Sequence, residues 1–267
     1  MKRLVAGPWL GEFGWELMSW QAFVRKAAQG YDEVHVCSRE GHEPLYRDFC
    51  KHFIPHRIAG LKDCWHVGLV DQRDIRVVND HLKGLGGERL IPDRLIPIQH
   101  QQFIRFGSKE RGKRLGYNFD LIVHARKPIG KRPGHSYPLQ RWNELVKRLE
   151  PRRIACIGTD AYAPEGTVDM RAAPMQDVMD AIASATMVIG PSSGPMHLAS
   201  LCGTPHMVWT DTQYYQAIQA SNVERYHLLW NPLRTPCRVL DMYGWLPTVD
   251  QLERAVNEQL AVWRKNG

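Results

Sequence analysis

The sequence has no long apolar run and few cysteines. No stretch reaches the roughly eighteen consecutive apolar residues that a transmembrane helix needs. The apolar start of the chain breaks at Gly7-Pro8, too early for a signal peptide. The 6 cysteines include no C-x-x-C pair, which is typical of reduced thiols in a chain of this size. These absences predict a cytoplasmic protein without a transmembrane segment.

Motifs for common cofactors are also missing. No G-x-G-x-x-G follows the first strand of either predicted domain, which argues against NAD or FAD. No G-K-[S/T] is present, which argues against P-loop nucleotide hydrolysis. The densest group of potential metal ligands consists of Cys50, His52, His56, Cys64 and His66. No closing pair follows it at zinc-finger spacing, so we expect no metal and no bound cofactor.

Acidic residues are outnumbered by basic ones. The 35 Lys and Arg against 28 Asp and Glu give a formal net charge of +7 and a pI near 9.1. This excess favours an anionic partner: a nucleotide-sugar, a phosphorylated glycan, an acidic membrane surface or nucleic acid. Charge alone does not choose among them.

Strand patterns alternate with helical patterns along the 267 residues. The series restarts after a charged, glycine-rich stretch at 106–117, which we interpret as a linker. We therefore expect an α/β fold of two Rossmann-like domains facing a central crevice, at 1–112 and 113–267. The final amphipathic helix at 248–263 belongs to the second domain, or packs back on the first.

Hydrophobic periodicity places the individual elements. In the first domain we predict strands at 2–6, 33–38, 53–59 and 67–70, and helices at 15–29 and 44–52. In the second domain we predict strands from 120, at 153–157, 167–170, 187–189 and 206–209, and helices at 139–149 and 174–185.

The stretch 186–199, TMVIGPSSGPMHLA, organises the second domain. It predicts a strand, a tight turn and a helix beginning near Pro195, which suits the first helical position. A helix start directs unpaired N–H groups and a positive dipole end at its surroundings. We expect Ser192, Ser193, Gly194 and His197 to bind a diphosphate there. The alternative is that a serine only caps the helix.

Residues 193–199 (SGPMHLA), followed by Gly203-Thr204-Pro205, resemble the donor-site motif of the ADP-heptose:lipopolysaccharide heptosyltransferases, glycosyltransferase family 9. Ser192 stands where that family has an acidic residue. The resemblance implies the GT-B fold, a nucleotide-sugar donor held by the second domain, and inverting transfer without a metal to a hydroxyl acceptor, a glycan or lipopolysaccharide-type molecule. The D-x-D motif of metal-dependent transferases is absent.

The glycine-punctuated loop after the first strand offers a general base. Inverting glycosyl transfer needs a carboxylate that takes a proton from the acceptor hydroxyl. Glu12 follows the strand, where open α/β sheets bind ligands, and is our candidate; complementing the helix dipole is its alternative role. Glu16 and Trp15 are expected on the acceptor side, and for Glu16 a structural role is favoured.

A basic turn follows the strand LIVHAR. Arg126 and Lys131 are expected to stabilise the negative charge that develops on a leaving nucleoside diphosphate. The same turn carries Lys127 and Arg132, for which a solvated face is an equal alternative. His124 and Arg126 spell H-x-R, which resembles the arginine motif of fucosyltransferase-type enzymes. Asp160, just past the next strand, is a candidate for the ribose hydroxyls, or caps a turn.

Two other functions fit the pattern. The first is transfer of a sugar to hydroxymethylated bases of DNA, with Trp9, Trp15 and Trp20 as stacking groups; helical spacing makes them core residues as readily. The second is nucleotide binding without catalysis. The sequence specifies neither the donor nucleotide nor the acceptor.

Overall fold

A computed structural model describes residues 1–58, 72–92, 98–128, 133–215 and 220–265. The chain divides into two compact units, Met1–Phe103 (unit 1) and Ile104–Gly267 (unit 2). This division falls earlier than the boundary expected between residues 112 and 113. The residues just before that boundary form a helix that packs within unit 2, as described below.

Among the described residues, unit 1 contains a four-stranded parallel sheet. Its strands are β1 (Arg3–Ala6), β2 (Glu33–Arg39), β3 (His52–His56) and β4 (Glu88–Leu90). Their spatial order is β3-β2-β1-β4. The order reverses direction between β1 and β4, so the loop after β1, which contains Glu12, leaves the sheet at its switch point. Ligands of open α/β sheets bind at such points.

The first helical region of unit 1 has three segments. They are α1 (Phe13–Trp15), a π-helical turn (Glu16–Trp20) and α2 (Gln21–Ala28). The sequence predicts one continuous helix here, with Leu17 and Trp20 on its buried stripe. Both residues are buried, but so are Gln21 and Arg25. The wider π turn rotates the buried face, which a simple helical period does not anticipate.

The rest of unit 1 departs from the expected elements. The predicted helix at 44–52 is only a short 3-10 turn, Glu43–Leu45. Helix α3 (Gln72–Gly84) was not expected, although Val78 and Leu82 lie at helical spacing and pack on Val5 and Cys37 of the sheet. The predicted strand at 67–70 lies outside the described residues.

Unit 2 contains a six-stranded parallel sheet. Its strands are β5 (Leu121–Val123), β6 (Ile154–Cys156), β7 (Val168–Asp169), β8 (Met187–Pro191), β9 (His206–Trp209) and β12 (Cys237–Leu240). The spatial order is β12-β9-β8-β5-β6-β7. Counted along the chain this is the Rossmann order 3-2-1-4-5-6, whose switch point lies between the first and fourth strands. Here those strands are β5 and β8.

Helices and a small hairpin complete unit 2. The helices are α4 (Lys109–Arg114), α5 (Leu139–Arg148), α6 (Met175–Ser184), α7 (Gly194–Cys202), α8 (Asn222–Leu228) and α9 (Val249–Lys265). The hairpin pairs β10 (Tyr214–Tyr215) with β11 (Ala220–Ser221). Helices α5, α6 and α9 and the start of α7 lie within two residues of their predicted positions, whereas α4, α8 and the hairpin were not predicted.

The stretch interpreted as a linker is a helix, which corrects that expectation. Ser108 caps α4 by accepting a hydrogen bond from the Arg111 N–H. Gly112 packs α4 so closely on α6 that a Cβ there would lie 2.3 Å from the Asp180 carbonyl oxygen. Arg111 forms ion pairs with Asp177 and Asp180 of α6. The charge and glycine that suggested a linker are the contacts of this helix pair.

The core of unit 2 includes both the sheet and the last helix. Tyr137, Trp142 and Trp209 pack with ring centroids 5.4–5.6 Å apart. Leu252 and Val256 of α9 are buried in the same cluster. The final helix therefore contributes to the core of unit 2. Among the described residues no helix combines the length and apolar character needed to cross a membrane.

Candidate functional site

The connection between β8 and α7 is two residues long. β8 ends at Pro191 and α7 begins at Gly194, so Ser192 and Ser193 make the whole turn. Ser193 is the extended N-cap residue of α7, with φ −170° and ψ 167°, and its side chain does not cap the helix. The simple capping role that the sequence allowed is thus not the role of this hydroxyl. The N–H groups of Met196 and His197 donate to the Ser193 carbonyl, both at 3.1 Å, and Pro195 has none. The positive dipole end of α7 faces this turn, where an anion is favoured.

Ser193 is held instead by a histidine that precedes Arg126. Its Oγ lies 2.8 Å from Nδ1 of His124, the residue directly after β5. The contact joins the carboxyl ends of the two strands that flank the switch point. His124 is buried, and burial followed by repulsion from Arg126 lowers its pKa to about 3. The imidazole is therefore neutral at physiological pH.

Two glycines form the slot that receives His124. A Cβ on Gly158, which follows β6, would lie 2.7 Å from Cδ2 of the imidazole. A Cβ on Gly190 in β8 would lie 3.2 Å from Cβ of His124. Gly158 also has φ +98°, a conformation that only glycine adopts without strain. The chain segments on both sides of His124, one in β8 and one just after β6, thus lack a side chain where the imidazole lies.

His197 lies in the first turns of α7 but is packed among aromatic rings. Its ring stacks on Trp230 at 4.6 Å and contacts Tyr226 at 5.5 Å between centroids. Burial, and then the charge of Arg225, lowers the pKa of His197 well below its ordinary value. Its Nδ1 is buried and makes no hydrogen bond within the described part of the chain. Any contact with a phosphate would therefore come from a neutral imidazole.

Residues 190–194, GPSSG, also spell the G-x-S-x-G pattern. In hydrolases this motif strains the central serine, here Ser192, on a sharp strand-to-helix turn. Within the described ranges, Arg234 is the one non-glycine residue with a positive φ. The backbone of Ser192 therefore does not have the strained positive φ. The histidine that follows β5 contacts Ser193, the neighbouring residue, instead. The turn therefore lacks the geometry of a nucleophile elbow.

Arg126 and Asp160 are brought to the same edge of the unit 2 sheet. Arg126 forms an antiparallel bridge with Ala161, and the Lys127 N–H donates to the Asp160 carbonyl at 2.9 Å. The Tyr162 N–H donates to the carbonyl of Ala125, which closes this short ladder. Both candidate residues thus lie just beyond the carboxyl ends of β5 and β6. Lys131 and Arg132 lie outside the described residues.

Asp211, beyond β9, is occupied by structural contacts. Its carboxylate accepts hydrogen bonds from Asn222 Nδ2 at 2.6 Å and from Trp245 Nε1 at 2.8 Å. Trp245 in turn stacks on His135 at 3.8 Å between centroids. This network gives Asp211 an anchoring role.

In unit 1, Glu12 stands at the start of the helical region. It is the N-cap residue of α1, half-buried, with φ −61° and ψ 148°, and its carbonyl accepts from the Glu16 N–H at 3.0 Å. Its side chain does not cap the helix. No capping hydrogen bond therefore supports the alternative role, in which Glu12 complements the helix dipole. Glu12 lies in the loop after β1, as the sequence predicts. Trp15, the last residue of α1, is half-buried.

Glu16 is fully buried and surrounded by donors. Its carboxylate accepts hydrogen bonds from Ser38 Oγ and from Tyr46 Oη at 2.7 Å, and its Oε2 lies 2.7 Å from Nδ1 of His42. Burial alone would raise the pKa of Glu16, but His42 and the two hydroxyl groups hold it below the ordinary value. An ionised carboxylate with these partners fixes the π turn against β2, so the geometry favours the structural role.

The tryptophans considered as base-stacking groups are mostly interior. Trp9 and Trp20 are buried and stack on each other at 5.7 Å and 16°. Rings that cover each other inside unit 1 offer no face to a nucleic acid base. Trp15 alone of the three is half-exposed.

Comparison with known proteins bears on the fold. No protein-family model matches the chain, and no curated protein does. E. coli ADP-heptose LPS heptosyltransferase II is similar over 100% of both chains, with 14% identity and a TM-score of 0.62. A glycosyl transferase of family 9 from Veillonella parvula matches over 97% of this chain and 89% of its own, with 11% identity and a TM-score of 0.57. E. coli heptosyltransferase WaaC with ADP matches over 97% and 99%, with 12% identity and a TM-score of 0.55.

The chain has the GT-B fold. At these identities the similarity concerns the backbone, not the site residues. It confirms the fold that the motif at 193–199 implied. The roles of individual side chains stay predictions.

Proposed function

We propose that this protein transfers a sugar from a nucleotide-sugar donor to a hydroxyl acceptor, with inversion and without a metal ion. The acceptor is a glycan or lipopolysaccharide-type molecule, and the cysteine pattern supports a cytoplasmic location. The GT-B fold, shared with solved nucleotide-sugar transferases, supports the reaction class.

The observation that carries the proposal is the contact between Ser193 and His124. It draws the serine hydroxyl away from the helix end, so the N-terminus of α7 stays available to an anion at the switch point of a Rossmann-like sheet. A diphosphate bound there would meet the N–H groups of Ser193 and Gly194, since the Ser192 N–H donates to the Trp209 carbonyl at 3.0 Å. His197, in the next turn, would contribute as a neutral donor.

The leaving group gains negative charge as the glycosidic bond breaks. Arg126 lies just beyond β5 and would stabilise this charge, together with Lys131 of the same basic turn. Asp160, beyond β6, would bind the ribose hydroxyls. These residues would supply the electrostatic stabilisation that a divalent metal provides in other transferases.

The acceptor hydroxyl must lose a proton as it attacks. Glu12 would be this general base, because it follows β1 at the switch point of the unit 1 sheet. Trp15 and Glu16 would belong to the acceptor side, Glu16 by fixing the π turn. Transfer to DNA is not favoured, since Trp9 and Trp20 cover each other.

The test is release of nucleoside diphosphate from a panel of nucleotide-sugars, with glycan and lipooligosaccharide acceptors and a chelator present. Arg126→Ala should lower kcat more than it weakens donor binding, because its contact strengthens in the transition state. Lys127→Ala, which removes the neighbouring cation, is the matched control and should have a smaller effect. Binding without acceptor-dependent release would instead support a non-catalytic nucleotide-binding protein.

A further inference from the structure

Three potential metal ligands meet at the amino-terminal edge of the unit 1 sheet. Glu33 begins β2, and His35 follows two residues later, so both side chains lie on one face of the strand. His52 begins β3 and is the register partner of His35 in the parallel pair. The three side chains therefore share one face of two neighbouring strands.

Their ligand atoms converge on one carboxylate oxygen. Oε1 of Glu33 lies 2.8 Å from Nε2 of His35 and 3.4 Å from Nε2 of His52. One ligand atom from each residue lies within 4.8 Å of the other two. The imidazole rings stack with centroids 4.4 Å apart. Among the residues that the structure describes, this is the one group of His, Cys, Asp and Glu with such spacing.

The other carboxylate oxygen is already oriented. Oε2 of Glu33 accepts a hydrogen bond from Nε of Arg3 at 2.8 Å, and Arg3 is the register partner of Glu33 on β1. Outer partners of this kind fix ligating carboxylates in metal sites. Oε1 is thus directed at the two histidines.

We propose that Glu33, His35 and His52 bind a divalent transition-metal ion of the zinc type. Two histidines and one glutamate are an established donor set for Zn²⁺, with bond lengths of about 2.0–2.2 Å that place tetrahedral ligand atoms about 3.4 Å apart. His35 and Glu33 are largely buried, whereas the His52 side chain is 53% exposed and can rotate to close the site. Solvent fills the fourth position.

The ion has a structural role because of its place in the sheet. The ligands lie at the amino-terminal ends of β2 and β3, whereas the Glu12 loop leaves the carboxyl end of β1. Binding would join the edge strand β3 to β2 without contacting the proposed base. The site is therefore independent of the transfer reaction and compatible with chemistry that needs no metal.

Zinc binding to the chelator-treated, dialysed full-length protein tests the proposal. Calorimetric titration should give a single Zn²⁺ per chain, and Co²⁺ should show the intense visible absorption of a four-coordinate ion. His52→Gln and Glu33→Gln should each weaken zinc binding by about tenfold or more, since each removes a ligand. His81→Gln changes an exposed histidine on α3 and is the matched control, with unchanged affinity.

Two results would overturn the proposal. One is the absence of stoichiometric zinc binding by the wild-type protein. The other is equal affinity in wild type, His52→Gln and His81→Gln, which would mean that the cluster only forms ion pairs. Because His52 is largely exposed, its variant should fold, and circular dichroism of the metal-free protein verifies this.

Discussion

Nδ1 of His124 lies 2.8 Å from Oγ of Ser193, and this contact joins the two strands at the switch point of the unit 2 sheet. It explains why Ser193 does not cap α7 and why glycine occurs at both neighbouring positions, 158 and 190. The neutral, buried imidazole fixes the turn that we propose to bind the diphosphate.

Filling the glycine slot should move His124. In Gly158→Ala the new Cβ would lie 2.7 Å from the imidazole, and φ +98° adds backbone strain. We expect a loss of about 1–3 kcal/mol in the free energy of unfolding. Nucleoside diphosphate affinity should fall about tenfold, equivalent to about 1.4 kcal/mol. Chemical denaturation and calorimetric titration measure the two effects.

Gly116→Ala separates strain from the clash. Gly116 has φ +79° in the same unit, but a Cβ there would meet nothing within 4 Å. This control should lose stability through backbone strain, about 1–2 kcal/mol, and bind nucleoside diphosphate normally. If both variants bind equally well, His124 does not organise the site.

The two glutamates of the first helical region should respond differently to amidation. Glu12→Gln keeps the shape of a base that would no longer accept a proton, so turnover should fall by about 10²–10⁴ with the protein folded. Glu16→Gln neutralises a buried carboxylate with three partners and should cost about 1.5–3 kcal/mol of unfolding free energy. Near-normal turnover of Glu12→Gln would remove it as the base.

Buried histidines should make unit 2 sensitive to acid. Burial lowers the pKa of His206 to about 4. The folded state therefore binds fewer protons than the unfolded chain as the pH falls from about 6.5 to 4, and stability falls by up to about 1.4 kcal/mol per pH unit. His206→Gln should flatten this dependence, whereas His227→Gln, which changes an exposed histidine, should not. Unfolding at several pH values measures the slopes; identical slopes would contradict the assignment.

The sequence predicted the elements of unit 2 better than those of unit 1. Strands such as β8 and β9 are short apolar runs bounded by turn residues, and α9 has a regular apolar stripe, so local pattern sufficed. The π turn at Glu16–Trp20 shifts the helical period, so a regular pattern misplaces the buried face. Gly112 lies inside α4, but a glycine among charged residues is typical of a linker in sequence. Both features depend on contacts between residues distant in sequence: the π turn on the partners of Glu16, and α4 on its packing against α6.

The site was predicted only in part for a related reason. The SSG turn is local, so the helix start at Gly194 could be expected. The partnership of His124 with Ser193 depends on β5 lying beside β8, and the cluster at Glu33 depends on the register of β2 with β3. The H-x-R pattern, the glycine after β6 and the glycine within β8 were the available signals for His124.

The most direct test of the donor site is nucleoside diphosphate binding to Ser193→Asp, with Ser193→Ala as the matched control. Aspartate is a favoured N-cap residue, so α7 and the fold should be preserved. Its negative charge would stand where the diphosphate should bind. By calorimetry across a nucleoside diphosphate panel, we predict measurable binding to wild type, a modest loss in the alanine variant, and at least about a tenfold loss in the aspartate variant. Binding of the folded aspartate variant with wild-type affinity would contradict the donor site at the start of α7.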